Sequence, residues 1–231
     1  MLSIHDLIKE YTESNFKISI HELHFHQGSI VGLLGKNGAG KTTILEIIAG
    51  LISPDKGELI IQKDIENGFS TVGYMEDDPT LFENLTCFEL IKYQSMLVEQ
   101  PLNKKQIQHL LEKYGLEKQA HIRSSSLSRG MRQRISFILT TLHNPAIILL
   151  DEPFTGLDPA NMTLMKRHLR EFKAQNKTII LSTHILQFAA NLCDEILFIN
   201  EGQIVHSEKN LLKKHLMKVS LKKDSLKCYP K

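Results

Sequence analysis

Residues Gly35–Thr42, with the sequence GKNGAGKT, have the spacing of a loop that binds phosphate groups. Its glycines would let backbone N–H groups converge on phosphate oxygens without clashes from Cβ atoms. Lys41 would reach the β- and γ-phosphates of a nucleotide, and the hydroxyl of Thr42 would ligate Mg²⁺. The alternative is a flexible glycine-rich loop without a ligand. The candidate nucleotide-binding residues of this segment are Gly35, Lys36, Asn37, Gly38, Ala39, Gly40, Lys41, Thr42 and Thr43.

Two carboxylates, Asp151 and Glu152, follow the apolar run AIILL at residues 146–150. An acidic residue at the end of a buried strand is costly unless it faces a cation or hydrogen-bond donors. Asp151 is therefore a candidate to hold Mg²⁺ through water, and Glu152 is a candidate general base that polarises an attacking water molecule. The alternative is a pair of acids that cap a helix before Pro153.

The stretch LSRGMRQR, residues 127–134, allows two interpretations. Three arginines around a glycine could form a basic patch for nucleic acid. Ser128 and Gly130, at the start of a predicted helix, could instead contact a phosphate group. The choice between these interpretations depends on the rest of the chain.

The pattern of apolar residues indicates how the chain positions these groups. Alternation followed by the continuous apolar run Ile30–Leu34 predicts antiparallel strands and then a buried strand, with a helix over Thr42–Leu51 after the glycine-rich turn. Further predicted strands are GELIIQ, STVGYM, AIILL and TIILST. Because strands alternate with helices, we expect an α/β fold with a mostly parallel sheet, whose ligands lie at the carboxyl ends of the strands.

Residues 79–126 have a different character and predict an α-helical subdomain inserted into this core. They are rich in Leu, Lys, Gln and Glu at helical spacing. With the helix after residue 128, the predicted subdomain extends over residues 79–140. We expect one domain over residues 1–231, with a basic tail over residues 208–231 that begins as a helix with a solvated lysine face.

The composition of the 231-residue chain excludes several classes of protein. The 28 basic and 26 acidic side chains leave a net charge of +2, which lacks the basic excess of a dedicated nucleic-acid binder. The 3 cysteines are widely spaced, so neither a zinc site nor a disulfide framework is expected. No apolar run approaches the roughly 20 residues that span a bilayer, so any membrane role would act through a partner.

The histidines of HELHFH, residues 21–26, are a second possible metal site. His24 and His26 would share one face of a strand, a spacing that can bind zinc. No fourth ligand is evident in the sequence, so an exposed strand face is the preferred interpretation.

The phosphate-binding loop and the segments LSRGM, LLDEP, GLDP and STH occur in the order and at the separations typical of ATP-binding cassette ATPases. Residues 1 to about 205 resemble this family. The resemblance implies a P-loop nucleoside-triphosphatase core with an N-terminal antiparallel β subdomain and an inserted helical subdomain. It also implies ATP and Mg²⁺ as ligands, and a head-to-tail dimer with two ATP molecules between P-loops and signature segments.

Further residues acquire roles from the resemblance. Tyr11 occupies the place of the aromatic ring that stacks on adenine, although an ordinary tyrosine at a strand end is the alternative. Ser128 and Gly130 match the signature positions that meet the γ-phosphate bound to the partner. Asp158 matches the aspartate that reaches across the dimer, and His184 matches the histidine that contacts the γ-phosphate. The predicted catalytic residues are Lys41, Glu152 and His184.

The chain departs from the family pattern in two places. The run GYMEDDP puts Asp77 where the family has a glutamine that meets Mg²⁺ or the attacking water. Asp77 keeps an acceptor oxygen but adds charge, so it is a candidate metal ligand, and a solvated acidic turn is the alternative. In the signature, Arg129 and Met131 replace glycine and glutamine, which places the charge of Arg129 near the partner's nucleotide. Arg132 and Arg134 are expected to face solvent or to brace the helical subdomain.

Signatures of this kind, together with acidic replacements of the glutamine, are similar to those of short single-cassette ATPases of bacterial exporters and immunity pumps. The membrane domain of those transporters is a separate chain. The resemblance therefore implies an ATP-hydrolysing subunit that powers transport, in the direction of export, through a transmembrane permease subunit at the cytoplasmic face of the membrane. One chain carries all the motifs, so a homodimer suffices, and a heterodimer is the alternative.

Two other classes fit the sequence less well, and nucleic acid is not an expected partner. Cassette ATPases that act on DNA carry long coiled-coil insertions, and residues 79–126 lack sustained heptads. Those that act on ribosomes carry two cassettes, and this chain has one P-loop. A P-loop kinase would leave LSRGM and GLDP unexplained. LSRGMRQR is therefore interpreted as the segment that contacts ATP on a second subunit.

Overall fold

Two β-sheets and the helices around them make up the computed structural model, which describes residues 2–61 and 71–209. The strands are β1 Leu2–Tyr11, β2 Phe16–Phe25, β3 Ile30–Leu34, β4 Lys56–Ile61, β5 Val72–Met75, β6 Ile147–Leu150, β7 Thr178–Thr183, β8 Glu195–Asn200 and β9 Gln203–Lys209. The helices are α1 Lys41–Ala49, α2 Cys87–Leu97, α3 Lys104–Lys113, α4 Arg129–Thr141, α5 Pro159–Ala174 and α6 Leu186–Leu192, with 3₁₀ turns at Glu117–Gln119 and Ser124–Ser126.

The larger sheet has the strand order β5-β6-β7-β3-β8-β9 and is parallel except for β9. Every residue of β3, β6 and β7 is buried, as expected for parallel strands covered on both faces. Ile30 and Leu34 of β3 belong to an apolar cluster shared with α2, α3, α4 and α5, whereas Val31 and Leu33 belong to a second cluster shared with α1 and the smaller sheet. The sheet therefore separates two cores.

The smaller sheet is antiparallel, with β1 between β2 and β4. It is tied to the larger sheet by the turn between β8 and β9. The backbone N–H of Ser19 donates to the carbonyl of Gly202 at 2.9 Å, and the N–H of Gly202 donates to the carbonyl of Ala39 at 3.0 Å. A Cβ atom at residue 202 would lie 2.0 Å from the carbonyl oxygen of Lys17, so this close approach requires glycine.

The segment between β5 and β6 is helical, as its sequence predicts. Helices α2 and α3 both begin with a reciprocal capping box, formed by Thr86 with Glu89 and by Asn103 with Gln106. Within residues 79–126, all of which the structure describes, the single β contact is an isolated bridge between Thr86 and Arg123. The α/β fold class, with a mostly parallel sheet, an antiparallel β subdomain and an inserted helical subdomain, is confirmed.

Some predicted boundaries were wrong. The first helix begins at Lys41 and ends at Ala49, where Gly50 in the left-handed conformation closes it. Strands β1 and β8 were not anticipated, and residues 208 and 209 belong to β9 and not to a helical tail. The remainder of the predicted basic tail, residues 210–231, lies outside the described residues.

Across the part of the chain that the structure describes, no helix has the length and apolar character needed to cross a membrane.

Candidate functional site

The glycine-rich loop connects the carboxyl end of β3 to the first turn of α1, where it folds around a lysine ammonium group. The Nζ of Lys41 donates to the carbonyls of Gly35 at 2.9 Å and Lys36 at 3.1 Å. Gly38 and Gly40 have φ angles of 80° and 102°, in the left-handed region that favours glycine. The loop thus lies between a buried strand and a helix, where its sequence predicts it.

Lys41 is a buried cation close to two carboxylates. Its side chain is 6% exposed, and its Nζ lies 3.9 Å from Oε1 of Glu152. Burial lowers the pKa of Lys41, and the charges of Glu152 and Asp151 oppose that effect. Lys41 therefore places a buried basic group beside two carboxylates at the N-terminus of α1, where the helix dipole also favours an anion.

Asp151 lies at the carboxyl end of β6, and both of its carboxylate oxygens accept hydrogen bonds. Thr42 Oγ1 donates to Oδ2 at 2.6 Å, and the hydroxyl of Ser182, from the neighbouring strand β7, donates to Oδ1. The residue is 3% exposed. Hydroxyl and carboxylate oxygens are the donors that a hard divalent cation such as Mg²⁺ prefers, so the groups present fit that ion.

Glu152 has an uncommon backbone conformation and makes two hydrogen bonds that position it. Its φ angle is 44°, which is uncommon for a residue with a side chain. Its backbone N–H donates to the hydroxyl of Ser182 at 2.9 Å, and its Oε1 accepts a hydrogen bond from Nδ1 of His184 at 3.0 Å. Ser182 therefore holds the carboxylate of Asp151 and the backbone of Glu152, and His184 orients the carboxylate of Glu152.

These groups line one cavity of about 990 Å³, which is large enough for a nucleotide. Tyr11 lines the same cavity, where its ring lies 6.4 Å from the ring of Phe16. The predicted residues that line the cavity are Tyr11, Asn37, Gly38, Gly40, Lys41, Thr42, Thr43, Asp77, Asp151 and Glu152. The structure thus brings together residues from β1, the loop, α1 and the end of β6, which are far apart in the sequence.

Several residues around the cavity were missed from the sequence. The lining also contains Phe16, Glu46, Tyr74 and Glu76. Burial and the charges of Asp151 and Glu76 raise the pKa of Glu46. The sequence does contain a signal for Ser182, because this polar residue lies near the end of a continuous apolar strand, two positions before His184. Phe16, Glu46, Tyr74 and Glu76 have no such signal, because residues of these types are common in any helix or at any strand end.

Seven predicted residues do not line this cavity: Gly35, Lys36 and Ala39 of the phosphate-binding loop, and four residues from elsewhere in the chain, Ser128, Gly130, Asp158 and His184. Ser128 is the N-cap of α4, where its Oγ accepts from the N–H of Met131 at 3.3 Å, and Asp158 is the N-cap of α5, where it accepts from the N–H of Asn161 at 2.9 Å. That backbone hydrogen bond lowers the pKa of Asp158. Gly130 approaches the loop before α5 so closely that a Cβ atom would lie 2.7 Å from the Gly156 carbonyl. His184, the fourth, reaches the cavity through Glu152.

The arginines of LSRGMRQR contact their own chain. Arg134 is buried and donates to the carbonyls of Tyr114 at 3.1 Å and Gly115 at 2.7 Å, so it braces the helical subdomain and does not face solvent. Arg132 donates to the carbonyl of Pro79 at 2.9 Å. The guanidinium of Arg129 lies 3.0 Å from Oδ1 of Asp77, a contact that the sequence did not predict.

The histidines of HELHFH form no evident metal site. β2 ends at Phe25, so His26 lies beyond the strand that was expected to carry it. His24 contacts Glu22 at 3.1 Å. In the ranges 2–61 and 71–209, no group of three His, Cys, Asp or Glu residues is arranged to hold a metal ion.

A phosphate-binding loop after one parallel strand and paired carboxylates after another define a P-loop nucleoside triphosphatase. Residues 18–155 match the protein-family model described as ABC transporter. The chain therefore belongs to the ABC transporter ATP-binding family, as its motifs predicted, and it is an ABC ATPase domain that binds ATP.

Similar proteins occur in several organisms. An uncharacterised ABC transporter ATP-binding protein of Methanocaldococcus jannaschii is 37% identical over 186 residues, which are 80% of this chain and 68% of that protein. The lantibiotic transport ATP-binding protein SrtF of Streptococcus pyogenes is 31% identical over 89% of each chain.

Solved structures show the same fold. An ATP-binding subunit of an ABC transporter superposes with a TM-score of 0.80 and 28% identity, over 96% of this chain and 98% of its own. A dimeric ATP-binding cassette in a post-hydrolysis state, bound to ADP and phosphate, superposes with a TM-score of 0.77 and 25% identity, over 93% of this chain and 100% of its own.

Proposed function

We propose that this ATPase powers export through a separate transmembrane subunit, by closing as a head-to-tail dimer on ATP and opening after hydrolysis. The observation that carries the proposal is the division of the predicted site between two surfaces. The cavity of one chain holds Lys41, Asp151 and Glu152, whereas the capping group Ser128 lies outside it. A second copy, placed head to tail, would bring its own Ser128 to the open side of this cavity.

Within the cavity, each group has a position that suits one step of ATP hydrolysis. The N–H groups of residues 36–42 and the Nζ of Lys41 would bind the β- and γ-phosphates. Tyr11 would stack on the adenine ring. Thr42 and Asp151 would hold Mg²⁺, which when bound neutralises charge that develops on the phosphates. Asp77 lines the same cavity and stays a candidate ligand.

Glu152 would accept a proton from the attacking water. Its carboxylate is 14% exposed, so it faces the cavity while largely excluded from bulk solvent. The hydrogen bond from His184 fixes the orientation of Oε1. His184 is about half exposed, so its ring can also contact a γ-phosphate in the cavity.

The partner subunit would supply the remaining contacts. Ser128 and Gly130 begin α4, where free N–H groups and the helix dipole favour a phosphate. Asp158 is exposed at the start of α5, on the same side as the close contact between Gly130 and Gly156. All three would therefore lie on one face of the dimer interface.

Exposed apolar residues of the helical subdomain support docking of a transmembrane subunit. Phe82 is 62% exposed and Met96 is 59% exposed, and Tyr93 and Leu97, on the same helix as Met96, are also exposed. Phe82 and Tyr93 pack edge to face with ring centroids 5.6 Å apart. Such a patch on a charged surface is typical of a protein contact. It follows the loop that carries Asp77, so closure of the cavity could be transmitted to the permease at the cytoplasmic face of the membrane.

The proposed direction of transport is export, and one of the relatives fits this proposal. SrtF, which is similar along most of both chains, is named as a lantibiotic transport protein. The short single cassette with an SRGM signature fits the same branch of the family.

Purification from detergent extract tests the proposal. A tagged chain should recover a transmembrane protein, and the pair of substitutions Phe82→Asp and Met96→Asp should abolish that recovery. Leu51→Asp is the matched control, because Leu51 is 64% exposed but lies at the end of α1, away from the helical subdomain. Recovery of ribosomes or DNA without a membrane protein would favour the soluble alternative instead.

A further inference from the structure

Two of the positions at which this chain departs from the family pattern contact each other. Nη2 of Arg129, in the signature segment, lies 3.0 Å from Oδ1 of Asp77, in the loop after β5. The two residues are 52 positions apart in the chain. One replaces a glycine and the other a glutamine, so neither partner of this ion pair exists in the usual pattern.

The ion pair is part of a larger contact between α4 and the loop over residues 77–79. The side-chain amide of Gln133 donates to the carbonyl of Asp77 at 2.6 Å, and Arg132 donates to the carbonyl of Pro79 at 2.9 Å. The stem of Arg129 packs over Gly156, where a Cβ atom would lie 3.0 Å from its Cδ. The backbone contacts fasten the loop to the helix, and the ion pair adds a charge-dependent link.

This link joins two functional surfaces. Asp77 lines the chain's own nucleotide cavity, beside Glu76 and Asp78. Arg129 stands between Ser128 and Gly130, in the segment that would face the partner's nucleotide. The side chains of Asp77 and Arg129 are 46% and 51% exposed, so the pair is weak enough for another charge to displace either partner.

We propose that Asp77 and Arg129 form a positioning pair that couples one nucleotide site of the dimer to the other; this rests on the proposed function. While it is paired with Arg129, as in the structure, Asp77 neutralises the guanidinium and restrains the signature segment. Once Asp77 turns towards a cation bound in its own cavity, Arg129 is released and its guanidinium becomes available to a phosphate of the partner's nucleotide. Binding in one site would thereby favour closure over the second.

A double-mutant cycle in the Glu152→Gln background tests this coupling. The readouts are the ATP concentration that gives half-maximal dimerisation in the presence of Mg²⁺, and the affinity of the monomer for a fluorescent ATP analogue. Asp77→Asn frees Arg129 and should lower the dimerisation midpoint about two- to five-fold. Arg129→Gln removes the phosphate contact and should raise it by a similar factor. In the double variant, Asp77→Asn should have no further effect.

Matched variants separate this role from a structural one. Arg129→Lys keeps the charge and should stay near the parent midpoint. Lys113→Gln and Glu171→Gln break another half-exposed ion pair, at 3.3 Å, that joins the helical subdomain to α5 away from the cavity, and they should not shift the midpoint. Equal shifts by Asp77→Asn with and without Arg129 would overturn the inference. Failure of the Glu152→Gln parent to dimerise with ATP would instead overturn the proposed function.

Discussion

Thr42 and Asp151 are 109 positions apart in the chain, yet Oγ1 of Thr42 donates a 2.6 Å hydrogen bond to Oδ2 of Asp151. The contact joins the first turn of α1 to the end of β6, across the intervening strand β7. The hydroxyl and the carboxylate therefore converge on one point beside the Lys41 ammonium. This convergence makes the metal-binding proposal testable by removing a single oxygen.

Thr42→Ala should raise the Mg²⁺ concentration needed for half-maximal ATP hydrolysis by on the order of ten- to a hundred-fold. The reason is that a metal ligand and the hydrogen bond that orients Asp151 are both lost. Thr42→Ser retains the hydroxyl and should stay close to the parent protein. Titration of ATPase activity with Mg²⁺ at fixed ATP measures the effect. Identical titrations for the alanine and serine variants would remove Thr42 from the metal site.

Glu152→Gln should retain ATP binding and lose turnover by about 10²- to 10⁴-fold, because the amide has no basic oxygen to accept the proton from water. It should also trap the dimer, which size-exclusion chromatography with ATP and Mg²⁺ would detect. Glu13→Gln, in the exposed turn after β1, is the control. Full activity of the Glu152 variant would assign the base elsewhere. Retained ATP binding without dimerisation would overturn the proposed closure of a head-to-tail dimer.

Ser128→Arg should stop turnover, because it fills the position that would meet the partner's γ-phosphate. This substitution also removes the N-cap of α4, so Ser128→Asp provides a sharper test. Aspartate is a good N-cap and suits the helix dipole, and thermal stability should therefore be retained while its charge repels the phosphate. Binding of a fluorescent ATP analogue to the monomer should be unchanged. A fully active Ser128→Asp variant would place the phosphate contact on another residue.

Glu46→Gln should stabilise the protein at neutral pH in the absence of ligands. Burial and the charges of Asp151 and Glu76 raise the pKa of Glu46 above its ordinary value of 4.5 in the folded state. The folded chain thus holds this proton more tightly than the unfolded chain, and stability is lost as pH rises from 4.5 through the folded pKa. The glutamine variant lacks this loss.

Thermal unfolding at pH 4 and pH 7.5 measures the difference. We expect the Glu46 variant to gain on the order of 2 °C in Tm at pH 7.5 and nothing at pH 4, since the side chain is only partly buried. Glu13→Gln serves as the exposed control. An equal gain at both pH values would show that packing, and not charge, causes the effect.

The strands with continuous apolar sequences were predictable, whereas β1, β8 and β9 were not. β3, β6 and β7 are continuous apolar runs because helices or the second sheet cover both of their faces, and that pattern is visible in the sequence. β9 is largely exposed at the sheet edge, so its composition resembles that of a loop. β1 combines exposed and buried residues without strict alternation because a bulge interrupts its pairing with β4 between His5 and Ile8.

Some residues of the candidate site were likewise predictable from the sequence, and some contacts were not. Lys41, Asp151 and Glu152 were predictable because each belongs to a local motif with a fixed spacing. The ion pair between Asp77 and Arg129 was not, because it depends on how α4 packs against a loop 52 positions earlier. Sequence alone left Arg129 facing the partner, whereas the folded chain provides it with a neighbour of its own.

The turn at Gly202 connects two walls of the nucleotide cavity by hydrogen bonds. It holds the backbone of β2, beside the aromatic rings of Tyr11 and Phe16, and the phosphate loop at Ala39 by two hydrogen bonds to one residue. The adenine side and the phosphate side of the cavity are thereby linked through one residue, Gly202. We therefore expect changes in the width of the cavity to come from the opposite wall, the loop over residues 76–78 that contacts α4.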